Sequence, residues 1–138
     1  MHVIENHHTF AWKDTLPDGK NVIIHRKGTT PAHVGEHGII PRSMTTAAYL
    51  VKCKGADAAL YSASHRAGRA ISRQQAKASI TVSSMKKVLS VANVTFIGSS
   101  VEENPSAYKD IEAVMQAQHS LVDFEGQFLP KIVRMYKE

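Results

Sequence analysis

The sequence predicts a single α+β unit, and three observations carry that prediction. With 138 residues, 43% of them hydrophobic, the chain can bury one core and needs no second domain. Apolar runs of strand length bounded by turn residues are interspersed, in mixed order, with stretches of helical spacing. These elements show no regular βαβ repeat, which points away from a parallel doubly wound sheet. A net charge of +5 and a pI near 9.4 lean toward a polyanionic partner, nucleic acid or an anionic membrane surface. No apolar run reaches the length of a membrane span or a secretion leader, and the one cysteine excludes an internal disulfide, so a reducing cytoplasm is expected.

The elements follow in chain order. MHVIENHHTFAW is a short apolar segment running into His7 and His8; a strand ending there sends the two imidazoles to opposite sides, so one of the pair faces any given metal. Adjacent histidines are more often surface groups. Pro17, Asp18 and Gly19 supply a turn that joins the first strand to NVIIHRK as a hairpin, with Arg26 and Lys27 at its end. The loop KGTTPAHVGEHG has the Gly, Thr and His content of a ligand-wrapping loop, though His33 and His37 beside Glu36 receive no role. GIIPRSM leads a strand into Pro41 and Ser43. AYLVKC is a strand, which makes Cys53 a packing residue, and GADAALY is a short connection. Thr81 to Val91 reads as a capped short helix before a strand VTFIG. Asn104 and Pro105 open a helix through about Gln118 with Tyr108, Ile111 and Met115 on one face. LVDFEGQF and LPKIVRM suggest a last hairpin turning at Gly126.

Between these lies SASHRAGRAISRQQAK, Ser62 to Lys77, where the chemistry concentrates. A helix from about Ala67 would place Arg66, Arg69, Arg73 and Lys77 on one face at steps of three and four. Ser62, Ser64 and Gly68 keep the approach small, so backbone N–H groups and guanidinium forks could grip a phosphate. Neighbouring positive charge disfavours imidazolium, leaving His65 neutral and nucleophilic near pH 7. The same spacing also describes a solvated helix face.

SASHRAGR resembles the SASHGAGR signature of the RtcB family of RNA-splicing ligases. ENHHTFAW, HRKGTTPA, GIIPRSM, SRQQAK, NPSAYKDIEAVMQAQ and KIVRM fall in that family's order along nearly the whole chain. The resemblance implies an RtcB-like α+β fold, with mixed and antiparallel sheets and surrounding helices, truncated to its C-terminal portion over residues 1–138. It implies a GTP- and manganese-dependent ligase that joins an RNA 3′-phosphate, or a 2′,3′-cyclic phosphate, to a 5′-hydroxyl through a GMP-histidine intermediate. The RNA partners are broken or spliced tRNA ends.

By match to the family, His65 is the guanylate acceptor, Arg69 and Lys27 neutralise phosphates, and His8 holds one manganese. Pro41, Ser43, Met44, Ala67, Gly68 and Tyr108 border the nucleotide, and Lys137 is the nearest candidate for a terminal nucleotide-contacting lysine. Four pocket positions depart from the family pattern: Thr9 replaces an asparagine, Arg42 a glycine of PGSM, Ala48 a serine found in many relatives, and Arg66 a glycine of HGAG. Were Arg66 held at positive φ it would cost about 1 kcal/mol or more; at negative φ it only adds charge. The family's other manganese ligands lie upstream of this stretch, so a separate N-terminal half is the expected partner and the isolated chain is expected not to ligate RNA. The alternatives are a catalytically dead RNA- or nucleotide-binding remnant that keeps the basic face, and an interaction protein whose half-core seeks a partner.

Overall fold

A computed structural model describes residues 3–5, 7–98 and 100–135, and their architecture is α+β. Strands β1 (Thr9–Thr15) and β2 (Asn21–Lys27) form an antiparallel hairpin in register from Thr9 opposite Lys27 to Thr15 opposite Asn21. The Leu16–Lys20 turn closes it, with Gly19 at φ +83° where a side chain would be strained. The start differs from expectation: the strand begins at Thr9, so His7 and His8 precede it and are not its end.

Short strands β3 (Thr29–Pro31) and β6 (Ser62–Ser64) pair antiparallel, and β4 (His37–Ile40), β5 (Ala48–Cys53) and β8 (Val122–Phe128) form an antiparallel sheet with β5 in the middle. The hairpin expected at Gly126 does not form. Gly126 lies opposite Leu50 inside the sheet, where the register shifts between Leu50 and Val51, so this glycine marks a bulge and not a reversal. The last strand, β9 (Ile132–Arg134), instead pairs parallel with β7 (Thr95–Ile97).

Among the described residues three α-helices pack around these strands: α1 (Arg73–Ser79), α2 (Val82–Val91) and α3 (Ile111–Ala117). The α1 helix starts six residues later than the sequence suggests. Gly68 at φ +77° and an antiparallel bridge between Arg69 and Tyr108 hold the chain off the helical path until Ser72, whose side chain and Gln75 form a reciprocal cap. The helix expected over 105–118 is also broken. Asn104 caps one 3-10 turn, Pro105–Ala107; Tyr108 is extended at φ −109°, ψ 148°; Asp110 then caps α3 afresh. Tyr108 is thus freed from the α3 face that Ile111 and Met115 occupy.

The main core gathers Ala32, Ile40, Val51, Cys53, Ala63, Ala67, Ile111 and Val122. Burial raises the Cys53 thiol to about 11, with Glu36 adding to the effect, so it is a packing group and no nucleophile. A second cluster of Met44, Met85 and Leu89, with Val94, Phe96, Val133 and Met135 against it, joins α2 to the β7–β9 pair.

Candidate active site

Backbone bonds converge on the turn after β2. Gly28, at φ +79°, donates its N–H to the His8 carbonyl at 3.1 Å, and its own carbonyl accepts the His65 N–H at 3.5 Å. This lacing sets the two imidazoles face to face, ring centroids 4.4 Å apart and planes within 4°. His65 is half-buried, and its Nδ1 is buried with no hydrogen-bond partner among the described residues. Burial lowers its pKa; the Gly28 backbone opposes this, and the charges of Arg66 and His8 add to it, so the ring is neutral near pH 7. Lys27 is exposed at the end of β2, on the strand pair opposite Thr9.

Beyond His65 the chain lines a pocket of about 360 Å³, at the lower end of the roughly 300–1,000 Å³ typical of small-molecule sites. Its walls include Pro41, Arg42, Ser43, Met44, Ala48, Arg66 and Tyr108, which the sequence singles out from three separate stretches, together with Thr46, Glu103, Phe128, Pro130, Val133 and Met135. The Ala67 N–H donates to the Pro41 carbonyl at 3.1 Å, and the Lys109 N–H to the Gly68 carbonyl at 3.0 Å, which ties the three stretches together. Arg66 is exposed and its φ is not positive, so the glycine-to-arginine change adds charge without backbone strain. A larger depression of about 530 Å³ at the hairpin is lined, among the described residues, by Lys13, Asp14, Thr15, Asn21, Val22 and Ile23, with neither an arginine nor a histidine. Thr9, His8 and Lys27 stand outside the 360 Å³ pocket, and Lys137 lies outside the described residues.

The four-cation ladder does not exist as drawn from the sequence. Arg66 and Arg69 precede α1, and the other members are neutralised by an acid pair that sequence reasoning passed over, Glu102 and Glu103. Lys77 Nζ meets Glu102 at 2.8 Å, Arg73 Nε lies 3.7 Å from the same carboxylate, and Arg69 Nη1 is 3.3 Å from Glu103. Arg69 also donates to the carbonyls of Glu102 and Ile71, and its guanidinium lies 5.3 Å from the Tyr108 ring centre. The Tyr108 hydroxyl donates to Glu103. In this arrangement Arg69 props the pocket wall. At the start of α1 the Gln75 N–H is taken by the Ser72 hydroxyl and the Ser72 N–H by the Gln75 side chain.

The lysine hydrogen bond lowers the Glu102 pKa below 4.5; burial opposes this, and the charges of Lys77, Arg73 and Arg69 reinforce it. The unfolded chain therefore takes up this proton at a higher pH than the folded one, and the stability contributed by the carboxylate is full above 4.5 and is lost as pH falls below that toward the lower folded value. In urea melts, Glu102→Gln is expected to flatten the acid limb relative to the parent; equal acid slopes would contradict this.

Among the described residues no three His, Cys, Asp or Glu side chains converge as a metal site. His8 with its stacked neighbour does not by itself fit a manganese ion, which takes several oxygen or nitrogen ligands.

Comparison with known proteins decides the lineage. The family described as tRNA-splicing ligase RtcB matches residues 1–134. The chain belongs to the RtcB family. It is 37% identical to the RNA-splicing ligase RtcB1 of Escherichia coli (strain ATCC 25922) over 89% of this chain and 30% of that protein. It is 37% identical to the tRNA-splicing ligase RtcB of Methanococcus maripaludis over 81% of the chain and 28% of the relative. The RNA-splicing ligase RtcB of Mycobacterium tuberculosis is 34% identical over 81% of the chain and 31% of its own length. The chain thus spans about 30% of the RtcB proteins it matches. No helix among the described residues is long and apolar enough to cross a membrane.

Proposed function

We propose that residues 1–138 form the guanylate-accepting part of an RtcB-type RNA ligase. The supporting observation is the 360 Å³ pocket, where residues matched to the family's nucleotide contacts meet beside the neutral His65. In this reading the apolar floor and the Tyr108 ring hold the guanine base. His65, with Nδ1 buried, attacks the α-phosphate of GTP through Nε2. The N–P bond forms as the bond to the pyrophosphate leaving group breaks. An RNA 3′-phosphate oxygen then takes the guanylyl group and frees the histidine, and a 5′-hydroxyl attacks the activated 3′-phosphate and expels GMP. Each step is substitution at phosphorus, which calls for positioned cations and an aligned nucleophile more than a strong acid or base.

The described residues do not by themselves bring together a manganese site; His8 would supply one ligand and polypeptide outside these residues the rest. The remnant reading loses part of its basic face, because Arg69 pairs with Glu103, Lys77 with Glu102, and Arg73 lies 3.7 Å from Glu102.

The test is equilibrium binding of GMP to the chain without metal. Loss of the stacking ring in Tyr108→Ala is expected to weaken binding by roughly 5- to 150-fold, given about 1–3 kcal/mol per stacked base. Unchanged affinity in that variant would reject the pocket as the nucleotide site.

A further inference from the structure

The pocket's mouth carries an imbalance of charge. Arg26, Arg69 and Arg73 each lie within ion-pair distance of a carboxylate. Arg42 and Arg66 line the pocket, yet among the described residues neither has an acidic partner. Arg42 is anchored by neutral groups, its Nε donating to the Lys109 carbonyl at 2.7 Å and Nη1 to the Thr46 hydroxyl at 3.3 Å. Arg66 is exposed and follows His65 directly. Glu103, the acid in the wall, is already held by Arg69 and by the Tyr108 hydroxyl, so it leaves neither guanidinium balanced. Two guanidinium groups line one pocket with no carboxylate partner among the described residues, and such groups suit the oxygens of a phosphate.

Resting on the nucleotide reading of the pocket, we infer that Arg42 and Arg66 form a clamp for a second phosphate, distinct from the one that meets His65. Two sources share that chemistry: the β- and γ-phosphates of a nucleoside triphosphate, and the terminal 3′-phosphate of an RNA. The clamp makes the site discriminate by phosphate number, since the apolar floor treats a mono- and a triphosphate alike. Arg42 reaches the mouth already pinned by two hydrogen bonds, so it loses little freedom on binding, whereas Arg66 swings in from solvent.

The experiment measures affinities of the chain, without metal, for GMP, for GTP, and for a short RNA ending in a 3′-phosphate or a 3′-hydroxyl. Arg66→Ala is the deciding variant, because that exposed side chain supports no folded contact; a melting curve confirms that the variant is folded, and Arg66→Lys tests whether charge alone suffices. A preference of about tenfold or more for GTP over GMP that collapses in Arg66→Ala supports the clamp and assigns it to the nucleotide tail. A 3′-phosphate-dependent gain in RNA affinity that collapses in the same variant supports it and assigns it to the RNA end. If GMP binds and Tyr108→Ala weakens it, but neither preference exists or Arg66→Ala leaves both intact, the clamp is overturned while the pocket reading stands. If GMP does not bind at all, both fall.

Discussion

With alanine at position 65, guanylate uptake is expected to vanish. The measurement pairs the chain with the metal-bearing remainder of an RtcB protein, supplies α-labelled GTP, and follows acid-labile label on the chain. Removal of a nucleophile has cost on the order of 10⁶ in rate in well-studied enzymes, which places His65→Ala below detection. GMP binding should survive in the same variant, because His65 is not among the residues that wall the 360 Å³ pocket. That split separates a lost nucleophile from a lost fold. Undiminished label on the alanine variant would defeat the assignment and move the acceptor elsewhere. His8, stacked at 4.4 Å, is the first place to look.

The second large effect lies one layer beneath. Arg26, on β2, is 1% exposed, and its guanidinium lies 5.2 Å from the Trp12 ring centre. Its Nε donates to the Ser62 hydroxyl at 2.8 Å and its Nη2 to the carbonyls of Leu60 and Tyr61 at 3.0 and 3.1 Å. Those two residues adopt positive φ, 50° and 49°, a conformation that side chains other than glycine resist unless their surroundings impose it. Arg26 is thus a pin through the turn that launches β6, and β6 delivers His65. Asp14 is its acid, 3.5 Å away. Burial alone would raise the Asp14 pKa, but the Thr15 amide, His33 and Arg26 together bring it below the ordinary carboxylate value.

Removing one partner of a buried charged network costs about 3–5 kcal/mol, a large share of the roughly 5–15 kcal/mol that holds a domain together. Arg26→Ala should therefore melt roughly 10–20 °C lower. Arg26→Lys keeps the charge but cannot span Ser62, Leu60 and Tyr61 with one ammonium group, so it should recover only part of the loss. A melting temperature for Arg26→Ala within a degree or two of the parent would show that the turn holds itself.

Much of this could be read from local patterns. The hairpin turn at Pro17–Gly19, the strand AYLVKC and the Thr81 cap of α2 are each decided by a few neighbouring residues, and each stands where those residues put it. The motif order around SASHRAGR led to the family in the same way. The failures share a cause. Spacing alone continued α1 back to Ala67 and ran one helix through Tyr108, because nothing local announces that Arg69 and Tyr108 will bridge across 39 positions. Gly126 reads as a turn until Leu50 is found opposite it.

Residue types and their local order, on their own, determined which side chains could carry phosphate chemistry and which lineage the chain joins. Only the tertiary structure decided which cations remain available: it drew Glu102 and Glu103 onto Arg69, Arg73 and Lys77, and left Arg42 and Arg66 lining the pocket with no acid among the described residues. The reason is that charge pairing depends on distance in space, and sequence spacing reports that distance only within a single helix or strand.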